Sequence, residues 1–224
     1  MKDNDVTSYQ ELLDVMGRLQ EVIMFQYAKQ SEVKELSKLC EEMLRKVQSK
    51  VKEYFTLEIR LIGSGAKKLV TQNTQDGAFD LDYNIILQRD KQNLLNNPQK
   101  IKQIFINAFN EIALEYRFKY ANDSTSVITV RLVTNNKLTF SFDVAIIVED
   151  NNGTFHRITF DKSTSRYFWN EIKQSRDYLA KFQQIKSEYW IEFKERYLEL
   201  KNIHLKRGVH MKSFSVFLET LNEF

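Results

Sequence analysis

Cysteine is nearly absent from this sequence, which contains one, Cys40, among its 224 residues. A single thiol excludes an internal disulfide, and three scattered histidines do not complete a Cys/His zinc site. The first eight residues also lack the basic and apolar regions of a secretory signal. These absences are typical of a reducing compartment, and we expect a cytoplasmic protein.

Long apolar runs are absent as well, since no stretch approaches the roughly 18 apolar residues that cross a bilayer. We therefore expect no membrane partner. The chain has one proline and six glycines, too few for a Pro/Gly-rich linker, so its segments should pack together. With 42% hydrophobic and 12% aromatic residues, the composition supplies a core and excludes a disordered chain.

A strong charge of one sign is also missing. The sequence has 33 basic and 30 acidic residues, which give a net charge of +3. Domains that bind nucleic acid through its phosphates usually carry a larger basic excess. The charge therefore allows nucleic acid as a partner but does not require it.

The N-terminal part of the chain predicts two helices by its hydrophobic spacing. Ser8 and Glu11 form a capping-box pattern, and an apolar stripe with steps of three and four residues then runs through Tyr27. After a weak break near Ser31, a second stripe includes Cys40, whose thiol we expect to be buried and inert. We expect both stripes to pack on the chain's own core, and a coiled-coil seam is the alternative.

The next part of the chain changes to the period of β-strands, which predicts an α+β fold. Apolar residues alternate from Leu57 to Leu61, and this predicted strand stops at a glycine turn. Asn97 and Pro98 are typical of a helix start. The predicted strands are residues 57–61, 79–87, 127–133, 138–148 and 155–160, of which the last three form an antiparallel meander; the predicted helices are residues 66–72, 98–116 and the chain from residue 164 onward.

We interpret this pattern as three segments packed into one compact unit. They are N-terminal helices in residues 1–55, a core in residues 56–162 and a C-terminal helical lobe in residues 163–224, and we expect the N-terminal helices to pack along this lobe and form part of it. Aromatic residues interleave with Lys and Arg in the last segment. Their helical spacing favours core packing, and base stacking is the alternative.

Asp80 and Asp82 are the most informative pair in the sequence. Residues two apart in a strand point to the same face, with origins about 6.6 Å apart. Their carboxylates can converge on two hard cations, which clamp the attacking and leaving oxygens of a phosphoryl transfer. Asp143 is the candidate third ligand, because the small neighbours Ser141 and Ala145 leave room for a ligand. The alternative is that all three aspartates merely face solvent, although aspartate is disfavoured in strands.

The turn Gly63-Ser64-Gly65 is the second candidate element. Backbone amides at a glycine turn, together with the serine hydroxyl, can hold a terminal phosphate. A tight strand-to-helix turn without a ligand is the alternative. Lys67 and Lys68 follow at once and can reach a polyphosphate, although lysines at such positions are often only solvated.

The order of these residues resembles the nucleotidyltransferase superfamily related to DNA polymerase β. That family has a hydrophobic-Gly-Ser turn, an Asp-x-Asp strand and a third aspartate on a later strand, which correspond here to Gly63-Ser64, Asp80-Leu81-Asp82 and Asp143. The likeness covers about residues 46–160. Beyond residue 161 the helical part is similar only in architecture to oligoadenylate-synthase-like and poly(A)-polymerase-like members.

The resemblance implies a small mixed, largely antiparallel sheet backed by helices. It implies two Mg²⁺ ions, or Mn²⁺, held by Asp80, Asp82 and Asp143, with Asp143 as the base. Gly63 and Ser64, helped by Lys67, would bind the β- and γ-phosphates of an NTP, ATP or GTP above all. The implied reaction moves a nucleoside monophosphate to an acceptor hydroxyl and releases pyrophosphate. The acceptor stays open between a small molecule, a second nucleotide, an RNA end and a protein.

One feature departs from the family pattern. Fifteen residues separate Ser64 from Asp80, which is longer than expected, so we expect residues 71–78 to cover the site or to shape acceptor choice. The alternative function is a catalytically silent protein of this fold that binds nucleic acid or a protein partner. We expect the histidines, which are His156, His204 and His210, to lie at the surface or in structural hydrogen bonds.

Overall fold

The computed structural model describes residues 23–75, 77–173, 178–209 and 211–224. The helix start predicted at Ser8 and the residue His210 lie outside these ranges. The elements in chain order are β1 (Phe25–Tyr27), α1 (Gln30–Val51), β2 (Phe55–Ile62), α2 (Gly63–Lys67), β3 (Thr71–Asn73), β4 (Phe79–Asp90), α3 (Pro98–Ala113), a 3₁₀ turn (Leu114–Tyr116), β5 (Asn122–Asp123), β6 (Ile128–Thr134), β7 (Lys137–Glu149), β8 (Phe155–Asp161), β9 (Arg166–Glu171), α4 (Leu179–Glu188), α5 (Trp190–Lys206) and α6 (Ser213–Glu223).

The main sheet is mixed, as predicted. Its strand order is β2-β4-β7-β6-β5, while β8 pairs with the end of β7 and β9 pairs with β8. β4 and β7 are parallel neighbours, and every other pair in this sheet is antiparallel. The parallel pair is possible because the long crossover through α3 returns the chain to the same end of the sheet. The α+β class predicted from the sequence is thereby confirmed.

Helices α1 and α3 cover one face of this sheet. The inward residues of β4 and β7, such as Leu81 and Phe142, are fully buried beneath them. Cys40 lies on the buried side of α1, which confirms the predicted burial of its thiol, and burial raises the pKa of this thiol. Because α1 joins the core of the sheet, it does not contribute to the helical lobe that the sequence predicted for the N-terminal helices.

Helices α4, α5 and α6 form the C-terminal lobe around a separate apolar cluster. Phe182, Phe193 and Phe217 are buried there in edge-on and tilted contacts with ring centroids 5.1–5.9 Å apart. Leu69, which follows α2, joins the same cluster and so attaches the lobe to the sheet. In the described ranges, no helix has both the length and the apolar character needed to cross a bilayer.

The C-terminal ends of two predicted helices are wrong near the glycine turn. The stripe that ran through Tyr27 ends in strand β1, whose partner is β3 in a separate two-stranded sheet. The helix predicted for residues 66–72 stops at Lys67, because Lys68 adopts the left-handed conformation with φ 59° and its amide bonds back to Gly65. The residues after this stop are then free to pair as β3.

The helix predicted from residue 164 is also wrong at its start. Residues Arg166–Glu171 form β9, which pairs with β8 so that Tyr167 lies opposite Phe160. Ser165 takes a positive φ of 54° in the turn between these strands. The run Tyr167-Phe168-Trp169 was predicted as part of a helix, but aromatic residues also favour strands. Pairing with the edge of β8 selects the strand.

Phe142→Ala is expected to lower the free energy of unfolding by about 3–5 kcal/mol, because it empties a buried ring site. Phe142 is 0% exposed and contacts the rings of Phe109 and Phe118 at 6.2 and 5.9 Å. Urea denaturation followed by circular dichroism measures the effect. Phe168→Ala, at a 41% exposed position on β9, is the control and should cost much less. Equal losses would contradict this assignment of the core.

Candidate active site

Strands β4 and β7 bring the three predicted aspartates to one face of the sheet. In the parallel register Asp82 lies directly beside Asp143, and Asp80 lies beside Ser141, one pleat away. Their neighbours Leu81 and Phe142 point to the opposite face and are buried. The strand alternation seen in the sequence and the pairing of β4 with β7 therefore place all three carboxylates on one surface.

Burial and neighbouring carboxylates disfavour the charged forms of Asp80 and Asp82. Burial, followed by repulsion from Asp80 and Asp143, raises the pKa of Asp82 to about 6, and nearby Lys67 opposes this shift. Burial and the charge of Asp143 also raise the pKa of Asp80, although this residue keeps an exposed surface toward the cleft. Lys201 opposes that second shift. The surface therefore favours a bound cation.

The donor set fits Mg²⁺ carried by a nucleotide better than a metal cage made by the protein alone. Across the described ranges, no group of three or more His, Cys, Asp or Glu side chains is arranged to hold a metal ion. Magnesium rarely needs such a cage, because it usually takes one or two carboxylates together with substrate phosphates. Carboxylates with raised pKa values beside a wide cleft meet this requirement.

The glycine turn touches this acidic surface. Gly63 has φ +62°, and a Cβ on this residue would collide with Asp82 Oδ2 and lie 3.3 Å from its Cγ. Glycine is therefore required both by the backbone conformation and by the approach of Asp82. Ser64 follows in the turn and lines the cleft.

The cleft has a volume of about 620 Å³ and lies between the sheet and the C-terminal lobe. Such a volume suits a nucleotide-sized ligand. One side carries Asp80, Asp82 and the glycine turn, and the opposite side carries Tyr197 and Lys201 of α5. Residues 213 and 214 of α6 line the cleft as well.

Of the two lysines predicted to reach a polyphosphate, Lys67 lines the cleft, whereas Lys68 is exposed outside it. The Lys67 ammonium group donates to the carbonyl oxygen of Gly63 at 3.4 Å and lies 5.1 Å from the centre of the Phe217 ring. Burial lowers the pKa of Lys67, and the charge of Asp82 opposes that shift. This half-buried cation is placed to meet an anion.

Lys201 is a functional candidate that the sequence analysis missed. It is 9% exposed, and its Nζ donates to Thr71 Oγ1 at 2.6 Å and to Ser213 Oγ at 3.3 Å. Burial lowers its pKa to about 8, against the opposing charge of Asp80. No motif distinguishes this lysine from others on the helix, because only the packing of β1 and β3 against α5 buries it.

Strand β1 forms the third side of the cleft and is fixed to α5. Asn202 bonds both the amide and the carbonyl of Phe25, at 2.7 and 3.1 Å. The hydroxyl of Tyr27 donates to the carbonyl of Lys194 at 2.7 Å. The ring of Phe25 then lies 4.2 Å from the Lys201 ammonium group, a cation–π contact. These bonds fix the position of Lys201.

Part of the segment predicted to cover the site, residues 71–78, also lines the cleft, through Thr71, Asn73 and Ala78. Of the two histidines in the described ranges, His204 lines the cleft and His156 does not. His156 bonds Asp150 at 2.9 Å, and His204 bonds Glu219 at 2.7 Å, as expected of structural histidines.

No family model matches the sequence, and no curated protein matches it. Solved structures do match. A STING-associated CdnE c-di-GMP synthase from Capnocytophaga granulosa is 14% identical with a TM-score of 0.60, over 99% of this chain and 65% of that one. The GTP-bound form of Vibrio cholerae DncV is 13% identical with a TM-score of 0.54, over 88% of this chain and 52% of that one.

A third match is the CdnE cyclic dinucleotide synthase from Elizabethkingia meningoseptica with GTP and Apcpp, 12% identical with a TM-score of 0.53, over 83% of this chain and 68% of that one. The chain thus spans about half to two thirds of the length of these proteins. At such identities the likeness establishes the fold.

Proposed function

We propose that this chain, whose fold is that of the polymerase β-like nucleotidyltransferases, transfers a nucleoside monophosphate from an NTP to an acceptor hydroxyl. The observation that carries the proposal is the meeting of Asp80, Asp82 and Asp143 on one sheet face beside a cleft with the half-buried Lys67 and the buried Lys201. A cleft with acidic and basic residues suits an NTP with its divalent cation. The cation can bind the carboxylates, and the phosphates can bind the ammonium groups.

The basic half of the cleft binds the triphosphate. Lys67 and Lys201 supply charge, while Ser64 and Ser213 supply hydroxyl donors. During transfer, negative charge grows on the oxygen between the α- and β-phosphates. Fixed cations on that side stabilise this charge without having to reorganise.

The acidic half serves the reacting α-phosphate. Asp80, Asp82 and Asp143, together with the phosphates of the NTP, would hold divalent ions, Mg²⁺ or Mn²⁺, and such ions would stabilise the attacking and leaving oxygens. The acceptor oxygen bonds to the α-phosphorus as the bond to the β-phosphate oxygen breaks. Asp143 accepts the proton of the acceptor hydroxyl, and pyrophosphate leaves toward Lys67 and Lys201.

An aromatic side chain at the cleft suits the base of the nucleotide. Phe214 is 40% exposed, follows Ser213 and lines the cleft. Its ring stacks on Phe217 at a centroid distance of 6.0 Å, which holds it in place. A purine that stacks on the exposed side of the Phe214 ring gains contact area without hydrogen bonds that distinguish one base from another.

A second nucleotide is the acceptor that we propose. Two of the matched structures are described as cyclic dinucleotide synthases, and one of them holds GTP with Apcpp. The net charge of +3 also gives weak attraction for a long nucleic acid. Both observations favour a small anionic acceptor over an RNA end.

The test is to incubate the full chain with each NTP and with pairs of NTPs, in Mg²⁺ or Mn²⁺. Pyrophosphate is followed over time, and the nucleotide products are identified by mass spectrometry. We expect metal-dependent pyrophosphate release and a linear or cyclic dinucleotide. Absence of both metal-dependent NTP binding and pyrophosphate release, with every NTP, would overturn the proposal.

Lys201→Met is expected to raise the KM for the NTP by about 10–100-fold, because it removes a charge-assisted hydrogen bond to the triphosphate. Because the pKa of Lys201 is about 8, the wild-type kcat/KM should fall as pH rises from 7 to 9 and the ammonium group loses its proton. The variant should lose this decline. Lys206→Met, at an exposed position on the same helix, is the control and should keep the wild-type profile.

A further inference from the structure

Thr129 touches the third aspartate directly. It lies on β6, and its backbone is the direct partner of Asp143 on β7. Thr129 is 6% exposed, and its Oγ1 donates to Asp143 Oδ1 at 2.6 Å. Partners of this kind share one face of the sheet. The bond engages one oxygen of the carboxylate and leaves Oδ2 available for other contacts.

A second hydroxyl supports this bond. Ser124 Oγ lies 3.3 Å from Thr129 Oγ1. A threonine hydroxyl has one proton, and Thr129 gives it to Asp143, so Ser124 must be the donor in this contact. The two residues therefore form a directed chain that ends on the carboxylate.

A buried cation in turn holds Ser124. Lys102 of α3 is 2% exposed, and its Nζ donates to the carbonyl of Ser124 at 2.6 Å and pairs with Asp123 at 2.5 Å. The hydroxyl of Tyr167, on β9, also donates to Asp123. A buried charge is unfavourable unless it is paired and hydrogen-bonded, as it is here. This cluster fixes the segment that carries Ser124.

We infer that Thr129, supported by Ser124 and Lys102, is a positioning residue that orients Asp143 for metal binding and proton transfer. The inference rests on the proposed function. Without the bond, repulsion from Asp82 would turn the Asp143 carboxylate away, since nothing else described fixes its Oδ1. Partners that orient a metal ligand are typically worth about 10–100-fold in metal affinity or activity.

The test compares Thr129→Val, which removes the hydroxyl at nearly the same volume, with Thr129→Ser, which restores it. We expect kcat to fall about 10–100-fold in Thr129→Val with little change in KM for the NTP, and to recover in Thr129→Ser. Mn²⁺ affinity, measured by titration, should weaken and recover in parallel. Thr139→Val is the matched control, because that hydroxyl donates instead to the carbonyl of Leu132 at 3.1 Å.

Wild-type kcat and Mn²⁺ affinity in Thr129→Val would overturn the inference. If the wild-type chain shows neither metal-dependent NTP binding nor pyrophosphate release, the proposed function fails, and the Mn²⁺ titration still decides the role of Thr129. Thermal melting reports whether each variant folds. If Thr129→Val does not fold, Ser124→Ala must lower kcat or Mn²⁺ affinity in the same direction, and wild-type values there would overturn the inference.

Discussion

Asp82→Asn is expected to abolish pyrophosphate release and, at the same time, to raise the melting temperature of the metal-free protein. The loss of activity should be at least about a thousandfold, because the amide removes a charged ligand from the point where transition-state charge develops. The gain in stability follows from the raised pKa of Asp82, since burial and two neighbouring carboxylates disfavour its charged form. Both the loss of activity and the gain of stability follow from removing the negative charge of Asp82.

The stability effect has a defined dependence on pH. In the folded chain Asp82 takes up its proton near pH 6, whereas an unfolded aspartate does so near about pH 4. The charged side chain therefore destabilises the fold fully above pH 6, and this penalty declines as pH falls from 6 to about 4. The difference in melting temperature between variant and wild type should shrink from pH 7 to pH 5.

Two further variants test the assignment. Asp80→Asn should also lose activity, since it removes the neighbouring carboxylate of the same strand. Glu149→Gln, at an exposed position near the end of β7, removes a carboxylate away from the cleft and should change neither property. Retained turnover in both aspartate variants would refute the proposed metal ligands. A lower melting temperature in Asp82→Asn would refute the mutual repulsion.

The acidic part of the candidate site could be predicted because strands alternate. The period of two puts Asp80 and Asp82 on one face and sets Asp143 opposite the apolar Phe142. Sequence alone did not give the parallel pairing that sets Asp82 beside Asp143. That register depends on the return of the chain through α3 and on the apolar faces that α3 and α1 cover together.

Only one of the two lysines in the basic part of the site could be predicted from the sequence. Lys67 belongs to the glycine turn and was found with it, whereas Lys201 is distant in sequence and reaches the cleft only through the packing of α5 against β1. β1 itself was predicted as helix, because Tyr27 fits the helical spacing of the apolar residues before it. A local sequence pattern does not indicate which distant strand has an unpaired edge.

Gly63→Ala is expected to reduce turnover at least about a hundredfold. The expected effect is at least as large as that of removing the charge of Lys201. The added Cβ would collide with Asp82 Oδ2, so either the turn or the carboxylate must move. Both movements damage the site, since the turn carries Ser64 and the carboxylate is a proposed metal ligand. Pyrophosphate release and the NTP-induced rise in melting temperature measure the effect.

Gly77→Ala separates the collision from simple backbone strain. Gly77 has φ +65°, nearly the value of +62° at Gly63, but a Cβ there would meet nothing within 4 Å. Both variants should therefore lose about 1–2 kcal/mol of stability from a left-handed alanine, and Gly63→Ala should lose more because of the collision. Only Gly63→Ala should also lose NTP binding and turnover. Equal activity in the two variants would mean that the approach of Gly63 to Asp82 has no catalytic role, and the phosphate-binding function of the turn would then be wrong.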